Sequence, residues 1–168
     1  MIRDIRMYGD PVLREDCDPV EQIDASVTEL ITDLRDTMYD ADGIGLAAPQ
    51  VGVPVRVFVY DIRDPEVEPG VLVNPEITMF SDDRVPYDEG CLSVPGITEV
   101  VERPRAIRFR YRDLDGRDHE RQAEGLLARV VQHEIDHLDG ILFVDRLSLI
   151  KKQLLRKKLR LMAATQGS

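Results

Sequence analysis

The sequence predicts an α+β domain, with antiparallel or mixed β-sheet packed around one central helix and a further helix near each end. Three observations carry that reading. Leu127, Val131 and Leu138 repeat at helical intervals along one segment. Upstream, Ile107, Phe109 and Tyr111 alternate with Arg108, Arg110 and Arg112, and Asp115-Gly116 follows as a hairpin signal. Helical periodicity also marks a stretch before the strands and another at the end of the chain. At 168 residues, 43% hydrophobic and 32% charged, the chain suits one globular domain over residues 1–168.

The elements follow in order. Residues 24–40 predict the first helix: Ser26 and Glu29 have capping-box spacing, and Leu30, Ile31, Leu34 and Met38 lie at helical intervals. Gly43 and Gly45 end that pattern. Residues 55–60 are rich in β-formers and read as a strand. Residues 71–73 and 77–80 read as two more, separated at Asn74-Pro75. Residues 107–112 predict a half-buried strand with a basic outer face, which returns through Asp115-Gly116 into a short strand at about 119–123. Residues 125–139 form the central helix, with Gly140 placed to stop it. A last helix is expected over about 148–163.

Composition narrows the function classes. No apolar run approaches the roughly 20 residues of a membrane helix, and the charged N-terminus lacks the apolar core of a secretory signal. Two cysteines, Cys17 and Cys91, do not suggest an oxidising compartment, so free thiols and a cytoplasmic location are expected. Net charge is −10, but six cations and no acid follow Leu147, leaving residues 1–146 at −16. All four lysines lie in that basic helix from about residue 148. An anionic partner is therefore conceivable for the tail alone, while the acidic body argues against nucleic acid lying across it. Neither DNA nor a membrane is an expected partner.

The chemistry is concentrated in His133-Glu134-Ile135-Asp136-His137. Histidines four apart on a helix have Cβ atoms roughly 5–6 Å apart, so both imidazoles can grip one divalent ion. Glu134 falls inside the apolar stripe, where a carboxylate is costly unless paired or employed. It can handle a proton for metal-activated water. A surface helix bearing these residues by chance is the bland alternative for this motif alone.

A catalytic site of this kind takes three protein ligands. Beyond His137 there is no His or Glu, and Asp139 and Asp145 sit too close to the helix end, so the third ligand is expected upstream. His119 lies in a polar hairpin and reads as exposed. Cys91, in Glu89-Gly90-Cys91-Leu92-Ser93, is the better candidate, although a small buried hydrophobe is its alternative. Gly90 would let Cys91 approach the helix. Glu89 reads equally as a group orienting a histidine and as a surface acid, and Asp136 as solvated or paired with an arginine.

Three segments together carry a family resemblance: Gly43-Ile44-Gly45-Leu46-Ala47-Ala48-Pro49-Gln50, Glu89-Gly90-Cys91-Leu92-Ser93 and His133-Glu134-Ile135-Asp136-His137. In order and spacing they resemble the signature motifs of peptide deformylases. The similarity extends over essentially the whole chain, including Tyr8-Gly9-Asp10-Pro11. It implies removal of the formyl group from N-formylmethionine on nascent polypeptides. It also implies a metal held by Cys91, His133 and His137, Fe(II) foremost, with nickel, cobalt or zinc able to substitute. The same match gives Glu134 the proton transfers, and the Gln50 amide and Leu92 N–H the developing oxyanion. Substrate contacts are expected from Ile44, Gly45, Leu126, Arg129 and Val130. Gly43 and Gly45 would permit positive φ or close approach, so that their loop can run beside an extended peptide. Bacterial members of the family make the ribosome a docking partner to consider for the basic tail.

Arg129 departs from an apolar methionine pocket. It would snorkel to the rim or contact the peptide backbone, leaving side-chain preference open but not the reaction class. Two competing readings are weaker. An endopeptidase built on the same helix is disfavoured by the missing downstream ligand. A binding module acting through its tail is disfavoured by an intact ligand set.

Overall fold

The computed structural model describes residues 1–166. Helix α1 (Ala25–Asp40) is followed by strands β1 (Gly45–Ala47), β2 (Val57–Tyr60), β3 (Gly70–Phe80), β4 (Arg84–Cys91), β5 (Val94–Pro104), β6 (Ala106–Arg112) and β7 (Asp118–Glu124). Helices α2 (Gly125–Leu138) and α3 (Leu149–Gln166) complete the order. The strands form an antiparallel five-stranded sheet, β1-β2-β3-β6-β7, and a separate two-stranded sheet, β4-β5. The expected α+β architecture is what forms.

Strand alternation explains the layers. Val57, Val59 and Val73 face one side of the large sheet and pack with Leu30, Ile31, Leu34 and Met38 of α1. Phe58, Tyr60, Leu72 and Phe109 face the other side and pack with Leu127, Val131, Ile135 and Leu138 of α2. A third cluster joins Val94, Ile97 and Val101 of β5 to Leu142, Phe143, Val144 and Leu147 beyond α2, with Leu155, Leu159 and Met162 of α3 against it. The large sheet thus seats α2 on one side, and the small sheet reaches α2 from the other. No described helix is long and apolar enough to cross a membrane.

Several local expectations change. The cap of α1 is Asp24, whose carboxylate accepts from the Val27 N–H at 3.1 Å, while Ser26 donates to that same carboxylate. Aspartate caps as well as serine and comes first in the chain. The strand expected over 55–60 starts at Val57, because Arg56 N–H bonds to Asp18 O instead. The two strands expected around Asn74-Pro75 are one, β3, with a register shift between Val73 and Glu76. Asn74 takes φ 50° there, and its amide holds both Val20 N–H and Val20 O at 2.8 Å. Strands β1, β4 and β5 had not been anticipated. Gly140 does stop α2, at φ 74°, where a Cβ would lie 2.6 Å from Arg14 O. The last helix continues to Gln166, three residues past its expected end.

Candidate metal centre

The site forms where the two sheets meet α2. His133 and His137 project from one side of that helix, their ring centroids 5.0 Å apart. Cys91 ends β4 and brings its Sγ to 3.3 Å from His137 Nε2. One ligand atom from each of Cys91, His133 and His137 lies within 4.8 Å of the others, close enough to share one ion. Cys17 and Cys91 are both free thiols. His119 stays outside the group, exposed, beside Asp113 and stacked on Tyr111.

The surroundings fit a cation. Glu89 is buried, not a surface acid, and its Oε1 accepts from His133 Nδ1 at 3.0 Å, which turns Nε2 toward the sulfur. Burial opposes the charge on Glu89, but hydrogen bonds from His133 and Arg103 outweigh it and hold the carboxyl at about 2. Burial likewise lowers the proton affinity of His133. The Cys91 sulfur and Glu89 outweigh it and raise the pKa well above the ordinary value. Groups that attract a proton there also attract a divalent ion. Burial, with His133 and nearby arginines, keeps His137 neutral, the form in which imidazole ligates.

Glu134 is 3% exposed, and its Oε2 has no hydrogen-bond partner among the described residues. A buried oxygen left unpaired costs about 1–3 kcal/mol. Burial also pushes its carboxyl up to about 7, suited to exchanging protons near neutral pH. Gly45 explains how it fits, since a Cβ there would lie 2.9 Å from Glu134 Oε1. At Gly43 a Cβ would meet Leu92 at 2.9 Å. Neither glycine has positive φ. Close approach to Glu134 and Leu92, not positive φ, is what requires them. Gly90 has no such duty, because a Cβ would find nothing nearer than 3.6 Å.

Gln50 is buried on the single turn after β1. Its Oε1 accepts from Ala47 N–H at 3.0 Å, which fixes the amide so that Nε2 points inward. Nε2 lies 3.1 Å from Ser93 Oγ and 3.5 Å from Cys91 Sγ. Leu92 occupies the turn between β4 and β5. A cavity of about 360 Å³ opens over the metal ligands, and Ile44, Gly45, Leu126, Arg129 and Val130 all line it, as do Gln50, Leu92 and Tyr87. The expected site residues other than fully buried His137 therefore line one pocket.

Arg129 differs from its expected placement. It is 8% exposed and does not snorkel to the rim, because its donors are engaged inside the protein. Asp136, on the far side of α2, is paired as one reading had it, but with two arginines, Arg103 at 2.9 Å and Arg146 at 2.8 Å, and it is buried. Arg103 is the residue that sequence reasoning passed over. It forks onto both oxygens of Glu89, at 2.6 and 3.0 Å. Its signal was its phase, since it falls two residues after buried Val101 on the inward side of β5.

A thiol and two helix-borne imidazoles around a buried glutamate, set at the foot of a pocket in an α+β fold, define a metal-dependent hydrolase. Comparison makes the class specific. The polypeptide deformylase family model matches residues 2–153. The peptide deformylase of Alkalilimnicola ehrlichii is 54% identical, covering 94% of this chain and 89% of its own. That of Maricaulis maris is 51% identical, covering 90% and 88%. The crystal structure of the Legionella pneumophila peptide deformylase superposes with a TM-score of 0.88 at 46% identity, over 99% of this chain and 98% of that one. The chain belongs to the polypeptide deformylase family, whose metal-dependent reaction removes the formyl group from N-formylmethionine at the start of polypeptides.

Proposed function

We propose that the ion is Fe(II), held by Cys91 Sγ and the two histidines, and that Glu134 carries the protons of the hydrolysis. Nickel, cobalt or zinc would occupy the same donors. A divalent ion held by these donors would supply Lewis acidity for the hydrolysis. Glu134 takes a proton from the attacking water and returns it to the departing amine. Gln50 Nε2 and the Leu92 N–H donate to the oxyanion, a task that favours donors fixed beforehand. Ile44 and Gly45 lead into β1, an edge strand of the large sheet, where an extended peptide can add its backbone. Leu126, Val130 and the stem of Arg129 wall the methionine side chain.

The observation that carries this reading is the buried, unpartnered oxygen of Glu134 beside three clustered donors. Glu134→Gln is expected to keep its metal and lose about 10²–10⁴-fold in formate release from a formylmethionyl dipeptide. Near wild-type turnover by a metal-loaded variant would remove Glu134 from the role. Metal identity is tested by anaerobic purification, elemental analysis and activity. Iron as the native ion predicts loss of activity in air, because the ion and its thiolate ligand are both oxidisable. A reducing compartment, the cytoplasm, suits substrates on nascent chains and a free thiol as ligand.

A further inference from the structure

The three metal donors stand on two separately packed units. His133 and His137 belong to α2, which is seated on the five-stranded sheet. Cys91 belongs to the two-stranded sheet, whose apolar side chains Val94, Ile97 and Val101 pack on residues 142–147. The joint between these units beside the metal is polar, and Arg129 occupies its centre.

Arg129 lies one turn before His133 on α2. Its Nη1 donates to Glu89 Oε2 at 2.5 Å and to Val101 O at 3.0 Å, and its Nη2 donates to Val85 O at 2.6 Å. The guanidinium also lies 5.4 Å from the centre of the Tyr87 ring. One helical side chain thus grips β4 at Val85 and Glu89 and β5 at Val101. The Glu89 carboxylate that it holds is the one orienting His133. Arg103 holds the same carboxylate, but it comes from β5 and reaches α2 only through Asp136. A planar guanidinium can satisfy several acceptors in fixed directions, which an ammonium cannot.

We propose that Arg129 is a positioning residue that sets the separation between Cys91 and the two histidines by fastening the two-stranded sheet to α2. Its guanidinium acts through Glu89 and the two strand carbonyls, while only its stem borders the pocket. The inference rests on Cys91, His133 and His137 as the ligand set.

Cobalt(II)-loaded enzyme, prepared anaerobically, tests it in the wild type, Arg129→Lys and Arg129→Met. The readouts are the sulfur-to-cobalt charge-transfer absorption, cobalt release to a chelator, and kcat and KM on a formylmethionyl dipeptide. Removing a group that supports metal ligands typically weakens binding about 10–100-fold. Arg129→Met should therefore release cobalt about tenfold faster or more, with a displaced absorption band and a fall in kcat that exceeds any change in KM. Arg129→Lys should fall between the two, and it decides the matter alone if the methionine variant does not fold. Wild-type release and absorption in the folded variants would overturn the proposal. An effect confined to KM would also overturn it and leave Arg129 with its place in the pocket wall alone. Absence of the sulfur band from the wild type itself would instead refute the ligand set on which the proposal rests.

Discussion

A carboxylate can be kept deep in a protein only if every neighbour makes room for it, and Gly45 shows how closely that applies to Glu134. A Cβ at position 45 would lie 2.9 Å from Oε1 and within 3.2 Å of two side-chain carbons. Gly45→Ala should leave the fold and metal content intact yet displace the carboxylate by a few tenths of an ångström. Small misplacements of reacting groups can cost up to about 10²-fold, so reduced formate release at full metal occupancy is the expected outcome. Unchanged turnover would show that Glu134 has slack. Glu89 offers a second test. Its carboxyl is held at about 2, below an ordinary 4.5. Its contribution to stability is therefore complete above about pH 4.5 and disappears as pH falls toward 2. That depression corresponds to about 3 kcal/mol at neutral pH. Glu89→Gln also leaves two buried guanidiniums short of a partner, a loss of about 3–5 kcal/mol. In urea denaturation of the metal-free protein, the gap between wild type and variant should narrow from pH 5 to pH 3. A gap independent of pH would exclude the depressed carboxyl as its source. The donors and Glu134 were readable because helical spacing is local, and Cys91 emerged once the downstream chain offered no third ligand. Glu89 and Arg129 could not be resolved that way, since Glu89 meets α2 across 40 to 44 residues and Arg129 meets strands 28 to 44 residues distant.

Among the elements, legibility followed burial. The α1 and α2 periodicities, and the alternation in β6, reflect faces pressed against a core. Most of β4 is exposed, so no apolar rhythm announced it, and its pairing with β5 depends on a partner that the local sequence does not reveal. Asp136, opposite the apolar stripe of α2, reads from sequence as solvated or paired with an arginine, and it is paired and buried. Strand β3 gives the opposite error. Asn74-Pro75 has the composition of a break, yet the chain absorbs it as an irregularity because Asn74 tolerates positive φ and its side chain replaces backbone partners for Val20. Asn74→Ala would remove both bonds and retain the unfavourable φ, so destabilisation of about 1–3 kcal/mol is expected. Activity per folded, metal-loaded molecule should be unchanged, since Asn74 does not line the metal pocket. Thermal or urea unfolding beside an activity assay checks both parts. A variant as stable as wild type would mean that the bulge does not depend on these bonds.

Across the whole molecule, charge and packing divide the chain near Leu147. Helix α3 carries six cations beside a body at −16, and some are engaged: Lys158 donates to Gly96 O at 3.0 Å, and Lys151 lies 3.6 Å from Glu99. The helix packs through Leu155, Leu159 and Met162, yet it contains no fully buried residue. Leu149, Ile150, Leu154 and Leu161 are all more than 60% exposed. Lys152, Arg156 and Arg160 line an open groove beside Tyr8. The family model's match ends at residue 153, although the Legionella pneumophila structure aligns with 99% of this chain. Both readings of the tail thus have support, with partial packing on the body and cations turned outward. We propose that the outward face docks on ribosomal RNA, where formylated chains emerge. Such attachment weakens steeply with salt because it releases counterions. Truncation from Lys151 should leave dipeptide turnover largely intact, since among the described residues no metal donor or lining residue of the metal pocket lies beyond that point. The same truncation should abolish salt-sensitive co-sedimentation with ribosomes. Equal co-sedimentation of truncated and full-length enzyme would exclude docking through α3. An unfolded truncation product would instead assign the helix to holding Leu142, Phe143 and Leu147 in place.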